Sequence, residues 1–251
     1  MLFSAIAALV CVLSVVGTAA QLSVLLGILR NCEWKGKSGL SLIMSLCLSD
    51  AIGCLCWGLG AFLSWIGWRW QVVSDWLPVW VTFSWTNLCL HLIVLAFNRF
   101  VATCMPLHFE RMFSEVTTRR TIAALWLATT VLAAPYVFCC CMMVFDFERL
   151  VSTYDFNHTA IWYANIYGTV IGSCSILLPG ALYVAVFAGL YTSKNSVSHQ
   201  PTVDVVSFAD CGVNPVIYLI WNKTIRQAVK QLFGLYNPLL AKPHRLHLVW
   251  K

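Results

Sequence analysis

Charge is what this sequence has least of. Of its 251 residues, 10% are Asp, Glu, Lys or Arg, against about 25% in an ordinary soluble domain, while 60% are hydrophobic. Too few polar groups remain to cover a folded surface, so water is not its main solvent. No polar linker, low-complexity tract or internal repeat divides the chain, which reads as one membrane domain rather than a soluble core with an anchor. Also missing are Cys-x-x-Cys pairs at zinc spacing. Most of the 12 cysteines, including Cys47, Cys54, Cys56, Cys89 and Cys174, fall inside apolar runs and read as small hydrophobes. Without a His-Glu-x-x-His or Gly-x-Ser-x-Gly motif no enzyme is expected, and His91, inside an apolar run, reads as a packed side chain. The net charge of +6 does not imply nucleic acid, because the basic residues sit at the ends of apolar runs and not on one face.

What is present is a series of long apolar runs. A bilayer core about 30 Å thick takes about 20 apolar residues as a helix, since each peptide group in lipid must be paired within its own segment. Five segments meet that length, at about 1–29, 39–68, 76–103, 119–145 and 161–193, the second with Asp50 as its only charge. A sixth, 201–221, is weaker because it holds Asp204 and Asp210. Ile225, Val229, Leu232 and Phe233 then share a face opposite Lys223, Arg226 and Lys230, the pattern of a helix lying in the membrane interface. The expected fold is an all-α membrane protein, with six apolar segments and a short interfacial helix (222–234) in one bundle over 1–234, and a basic tail at 235–251. The small residues Gly17 to Ala20 resemble a signal-peptide cleavage site, but the run has no basic residue before it and stays apolar to Leu29, so a retained first helix is expected.

Lys and Arg set the orientation. Arg30, Lys35, Lys37, Arg99, Arg111, Arg119, Arg120 and Lys194 fall on one side and only Arg69 and Arg149 on the other, eight against two. The positive-inside rule therefore puts the N-terminus outside, at the plasma membrane, and makes 146–160 an outer loop carrying the glycosylation triplet Asn157-His158-Thr159. The tail conflicts with this. Its six basic residues make the count fourteen against two if it lies inside, and eight against eight if segment 201–221 carries it out. Charge places the tail inside.

The motifs point to a family. Asn98-Arg99-Phe100, with Pro106 seven residues after the arginine, resembles the Asp-Arg-Tyr signature of rhodopsin-like G-protein-coupled receptors, and Asn214-Pro215-Val216-Ile217-Tyr218 matches their Asn-Pro-x-x-Tyr. Leu46 and Asp50 resemble the second-span Leu-x-x-x-Asp, and Trp126 and Pro179 stand where the family has a tryptophan and a proline. Within that family the run from Asn98 to Ser114 is most similar to nematode serpentine chemoreceptors, of class X. The resemblance implies a serpentine-receptor-like bundle in the lipid bilayer. Asn98, Arg99, Phe100, Asn214, Pro215 and Tyr218 would form the switch facing a heterotrimeric G protein, and Asp50 a polar core that in the family often holds sodium. The alternative for Asp50 is a protonated acid bonded to Ser45 or Ser49. A small-molecule or peptide ligand would lie among aromatics such as Trp80, Trp85 and Tyr163; the alternative for these rings is an interface belt.

The pattern also fails in places. Asn98 replaces the acid that restrains the family's arginine. Thr18 stands near the place of a first-span asparagine, and Ser74 where a cysteine would tie the third span to the outer loop, so that disulfide is not expected even with Cys139, Cys140 and Cys141 nearby. Only 22 residues, Thr192 to Val213, separate the fifth segment from Asn214. They allow one crossing where the family has a loop, a sixth span and another loop. The family signals by swinging that sixth span, so a shortened, non-signalling form stays open beside a chemosensory receptor. A transporter or channel subunit, or a dimer partner that retains full-length relatives, are the competing readings; the former predicts repeats and several intramembrane charges.

Overall fold

The computed structural model of the chain describes residues 2–30, 36–138, 143–154 and 161–196. Along them run α1 (Leu2–Arg30), α2 (Ser38–Trp65), α3 (Gln71–Cys104), the short α4 (Pro106–Met112), α5 (Glu115–Phe138), strands β1 (Met143–Asp146) and β2 (Val151–Tyr154), and α6 (Ile161–Ser196). Among the described residues α1, α2, α3, α5 and α6 are long and apolar enough to cross a membrane. Segment 201–221, the helix at 222–234 and the tail lie outside the described residues.

Helix α3 is the hub, in contact with α2, α5, α6 and β1, while α1 packs on α2. Small residues let these backbones approach, as expected where lipid supplies no hydrophobic drive between helices. A Cβ on Gly58 would lie 2.9 Å from Ser14 Cβ, and one on Gly53 2.5 Å from Ser84 Oγ. At that second crossing the Ser49 hydroxyl donates to the Ser84 carbonyl (3.3 Å) and the Ser84 hydroxyl to the Ser49 carbonyl (2.6 Å). The apolar core beside it joins Val24 and Ile28 of α1, Leu42, Ile43 and Leu46 of α2, and Leu95 of α3. The opposite faces, such as Val12, Leu13, Val15 and Val16 of α1, are left exposed for lipid.

The helix ends have local causes. Gly67, at φ +71°, closes α2 in a Schellman turn: the Gly67 amide bonds the Ser64 carbonyl (3.1 Å) and the Trp68 amide the Leu63 carbonyl (2.9 Å). The second span therefore ends at Trp65 and not at residue 68. The third starts at Gln71, five residues before 76, because Ser74 and Asp75 continue the helix. Pro106 opens α4, where its missing N–H costs nothing. At the start of α5 the Ser114 hydroxyl accepts from the Thr117 amide (3.2 Å), an N-cap.

The helical bundle is as expected among the described residues, and the local difference in element type is in the fourth apolar segment. Segment 119–145 is not a single helix, since α5 stops at Phe138 and Met143–Asp146 pairs antiparallel with Val151–Tyr154. Hydropathy alone does not separate an apolar strand from the end of an apolar helix, and β1 alternates buried and half-buried side chains, the period of a strand. Its turn is shaped by Asp146, whose Oδ1 accepts from the amides of Glu148 (2.8 Å) and Arg149 (3.1 Å), with Leu150 left-handed at φ 53°.

The hairpin caps the bundle by inserting Phe145, 1% exposed, beside Leu63, Leu77 and Phe147. The ring fits because residue 60 has no side chain: a Cβ there would come within 2.6 Å of Phe145 Cζ and 2.7 Å of Leu77 Cδ2. Replacing Gly60 with Ala is expected to lower stability by about 1–3 kcal/mol through overpacking. Gly180, with nothing within 4 Å of its Cβ position, serves as control, and Gly180→Ala should leave the thermal midpoint unchanged or raised in detergent unfolding scans.

Candidate functional site

The Arg99 end of α3 is built from two breaks in the helix path. Asn98, 3% exposed, donates from Nδ2 to the Ser38 hydroxyl at the start of α2 (3.0 Å). It thus pins the end of α3 to α2 instead of restraining its neighbour. The Arg99 Nε is buried and meets no acceptor among the described residues, and no acid there pairs with the guanidinium. Phe100 is half-buried next to it. Beyond Met105 the chain turns into α4, held by Phe113 against Phe97 and Phe109 at ring distances of 6.0 and 5.7 Å. This turn leaves Leu107 93% exposed, a feature no hydropathy profile singles out. Asn214, Pro215 and Tyr218, the other half of the expected switch, lie outside the described residues.

Deeper in the membrane, Asp50 is half-buried and its Oδ2 accepts from Gln21 Nε2 of α1 (3.1 Å). Gln21 escaped the sequence reading; its polarity in a run of apolar residues was the available signal. Thr18 plays no part, since its hydroxyl returns to the Ser14 carbonyl of its own helix (2.8 Å). Nor do the two serines proposed for Asp50: Ser49 bonds the Ser84 carbonyl, and Ser45 is taken up elsewhere. Gln21 Oε1 is a buried acceptor with no donor among the described residues. With the Asp50 carboxylate it offers the hard oxygen donors that a sodium ion takes, so these residues fit the cation that the resemblance implies.

Ser45 anchors a relay across three spans. Indole Nε1 of Trp126 on α5 can only donate, so the Ser45 oxygen accepts it (2.8 Å), and the Ser45 proton is left for His91 Nε2 (2.9 Å). His91 then carries its proton on Nδ1 and donates to the Asn87 carbonyl (2.8 Å). His91 is fully buried with both nitrogens bonded, the packed histidine expected, though tied more closely than packing alone requires. Asn87, also fully buried, accepts from Thr129 of α5 (3.3 Å), adding a second α3–α5 tie.

Toward the hairpin, Tyr136 of α5 and Tyr163 and Tyr167 of α6 form a three-ring cluster with centroids 5.6–5.9 Å apart. Trp85 of α3 meets Tyr167 edge-on at 6.3 Å, and the Thr86 hydroxyl bonds the Tyr167 hydroxyl. Tyr163 donates to the Leu132 carbonyl (2.8 Å), and Thr82 to Met143 Sδ of β1 (3.3 Å). The expected trio of rings is thus divided. Trp85 and Tyr163 share this cluster, whereas Trp80 is turned away onto Phe83, which tilts on Trp126. Tyr136, Tyr167, Thr82 and Thr86 were missed because their convergence depends on tertiary contacts of three helices.

The hairpin is fastened where a disulfide was not expected. Ser74 donates to the Phe145 carbonyl (3.1 Å), and Ser64 of α2 donates to the Phe147 carbonyl. Arg69 and Glu148 pair at 3.0 Å on the exposed side. Asn157 and Cys139–Cys141 lie outside the described residues.

A helix bundle in which Arg99 pairs with no acid among the described residues, with a capped aromatic cluster at the other end, agrees with the comparisons. The family model described as serpentine type 7TM GPCR chemoreceptor Srx matches residues 11–203, and the chain belongs to that family. It is a multi-pass membrane protein of a receptor family, not an enzyme. It is also similar to the mouse (Mus musculus) trace amine-associated receptor 3, 26% identical over 109 residues. That stretch covers 40% of this chain and 29% of the mouse receptor.

The relay yields a test. Ser45→Ala leaves both the Trp126 N–H and His91 Nε2 without their partner, at about 1–3 kcal/mol for each buried group stranded. In a His91→Phe background the same substitution should cost less, with a coupling of about 0.5–3 kcal/mol in thermal unfolding of the detergent-solubilised protein. Equal costs in both backgrounds would remove His91 from the relay.

Proposed function

We propose that the chain is a chemosensory receptor of the plasma membrane, with its N-terminus and hairpin outside and its Arg99 end facing a heterotrimeric G protein. The observation that carries this reading is the Arg99 end itself. Arg99 at the end of α3 pairs with no acid among the described residues, and the turn that follows leaves the apolar side chain of Leu107 93% exposed. A cation without an acidic partner among the described residues and an exposed apolar knob on the positively flanked side suit a protein partner better than water or lipid. Asn98, engaged with Ser38, leaves the arginine unrestrained from its own helix, which favours coupling without ligand. Asn214, Pro215 and Tyr218 would complete the switch. Asp50 and Gln21 would hold sodium, which supplies one positive charge to the polar core when bound.

The ligand would enter beneath the hairpin, against Trp85, Tyr163 and Tyr167, with Trp80 at the margin. Trp85 remains 37% exposed beside Tyr167 and offers the open edge. The similar mouse receptor is named for trace amines; among the described residues the cluster here offers tyrosine hydroxyls and ring faces. That chemistry suits a small molecule with an apolar body and a hydrogen-bonding group.

Two experiments test the proposal. Asn157 should carry a glycan in cells, seen as a mobility shift removed by a glycosidase and by Asn157→Gln; no shift, with modification of an acceptor placed after Leu240 instead, would invert the orientation. In membranes supplied with purified heterotrimer, the chain should accelerate nucleotide exchange, and Leu107→Asp should abolish the acceleration without changing the thermal midpoint. Absence of any acceleration across the G-protein classes would leave a non-signalling form.

A further inference from the structure

The turn between α2 and α3 exposes more aromatic surface than a water-facing loop tolerates. Trp65, Trp68 and Trp70 are 53%, 53% and 58% exposed, with Ile66 at 50% between them. Trp68 and Trp70 stack on each other, with centroids 5.4 Å apart and planes within 16°. The Schellman turn at Gly67 sets this display, because it reverses the chain without burying Trp68. The one charge in the turn, Arg69, is matched by Glu148 of the hairpin, so the patch presents indole faces and no net charge.

We propose that this turn is a lipid-interface anchor, seated among the phospholipid headgroups of the leaflet on the hairpin side, and that through Arg69 and Glu148 it sets the height of the hairpin. Three features name lipid as the occupant. The patch is continuous with the lipid-facing surfaces of the spans, running from Leu55, Leu59 and Phe62 of α2 into Trp65 and Ile66. At 28 residues, α2 rises about 42 Å, close to the roughly 40–45 Å of a bilayer with its headgroups, so a turn at its end lies at headgroup depth. Indole is also the side chain suited to that layer, with an apolar body and an N–H for phosphate or carbonyl oxygens.

The test uses the full chain, one copy per nanodisc of phosphatidylcholine. The emission lost on Trp68→Phe with Trp70→Phe should be blue-shifted, quenched by lipids bearing a nitroxide at the headgroup or upper acyl chain, and insensitive to aqueous iodide. Emission quenched by iodide and not by lipid nitroxides would overturn the anchor in favour of water, and emission shielded from both would overturn it in favour of coverage by protein. Should the double variant misfold, hydroxyl-radical labelling of the unaltered chain decides between water and cover, and lipid-nitroxide quenching of the single variant Trp68→Phe against the unaltered chain decides between lipid and protein. Trypsin cuts at Arg69, so the two rings report on separate peptides. Protection of both in nanodiscs relative to denatured chain supports the anchor; full oxidation of both overturns it.

Discussion

Every peptide group inside hydrocarbon has to find its partner within the protein, and the rest of this molecule follows from that. It forces the long runs into helices and makes each polar side chain within them seek another polar group. Ser49 and Ser84 answer by exchanging bonds with each other's backbone, Gln21 by turning to Asp50, and His91 by filling both of its nitrogens. Polar groups that would be scattered over a soluble surface are here collected along α3, which is why this helix touches α2, α5, α6 and β1.

The spans themselves were legible in the sequence because hydropathy over about 20 residues measures the same transfer cost that places them. Their ends were less so. A left-handed glycine moved the end of α2 inward, and a strand hid in the tail of the fourth apolar run, since Met143 to Phe145 is as apolar as the helix before it. Arg99 and Asp50 were legible as single expensive residues in apolar surroundings. Their partners were not, because Gln21 and Ser38 belong to other helices, and one sequence carries no measure of which faces meet. The family resemblance helped least at the substituted positions: it noted Thr18 near the place of an asparagine without pointing to Gln21, and it noted a missing cysteine at Ser74 without saying what replaces it.

Asn98 shows how one substitution redistributes constraint. An acid beside the arginine would bind its neighbour; the amide instead reaches a hydroxyl on α2. The end of α3 stays anchored to the bundle, while Arg99 is released from local restraint. Position and charge control, joined in one residue by the family's pattern, are separated here.

The fastening of the hairpin has a mechanical side. A covalent bridge holds its cap until a reductant arrives, whereas Ser74 and Ser64 grip carbonyls through bonds that thermal motion opens and remakes. Hydrogen bonds of this kind open and remake on the timescale of loop motions, microseconds or faster. The redox state of the surroundings has no hold on the hairpin through these two latches.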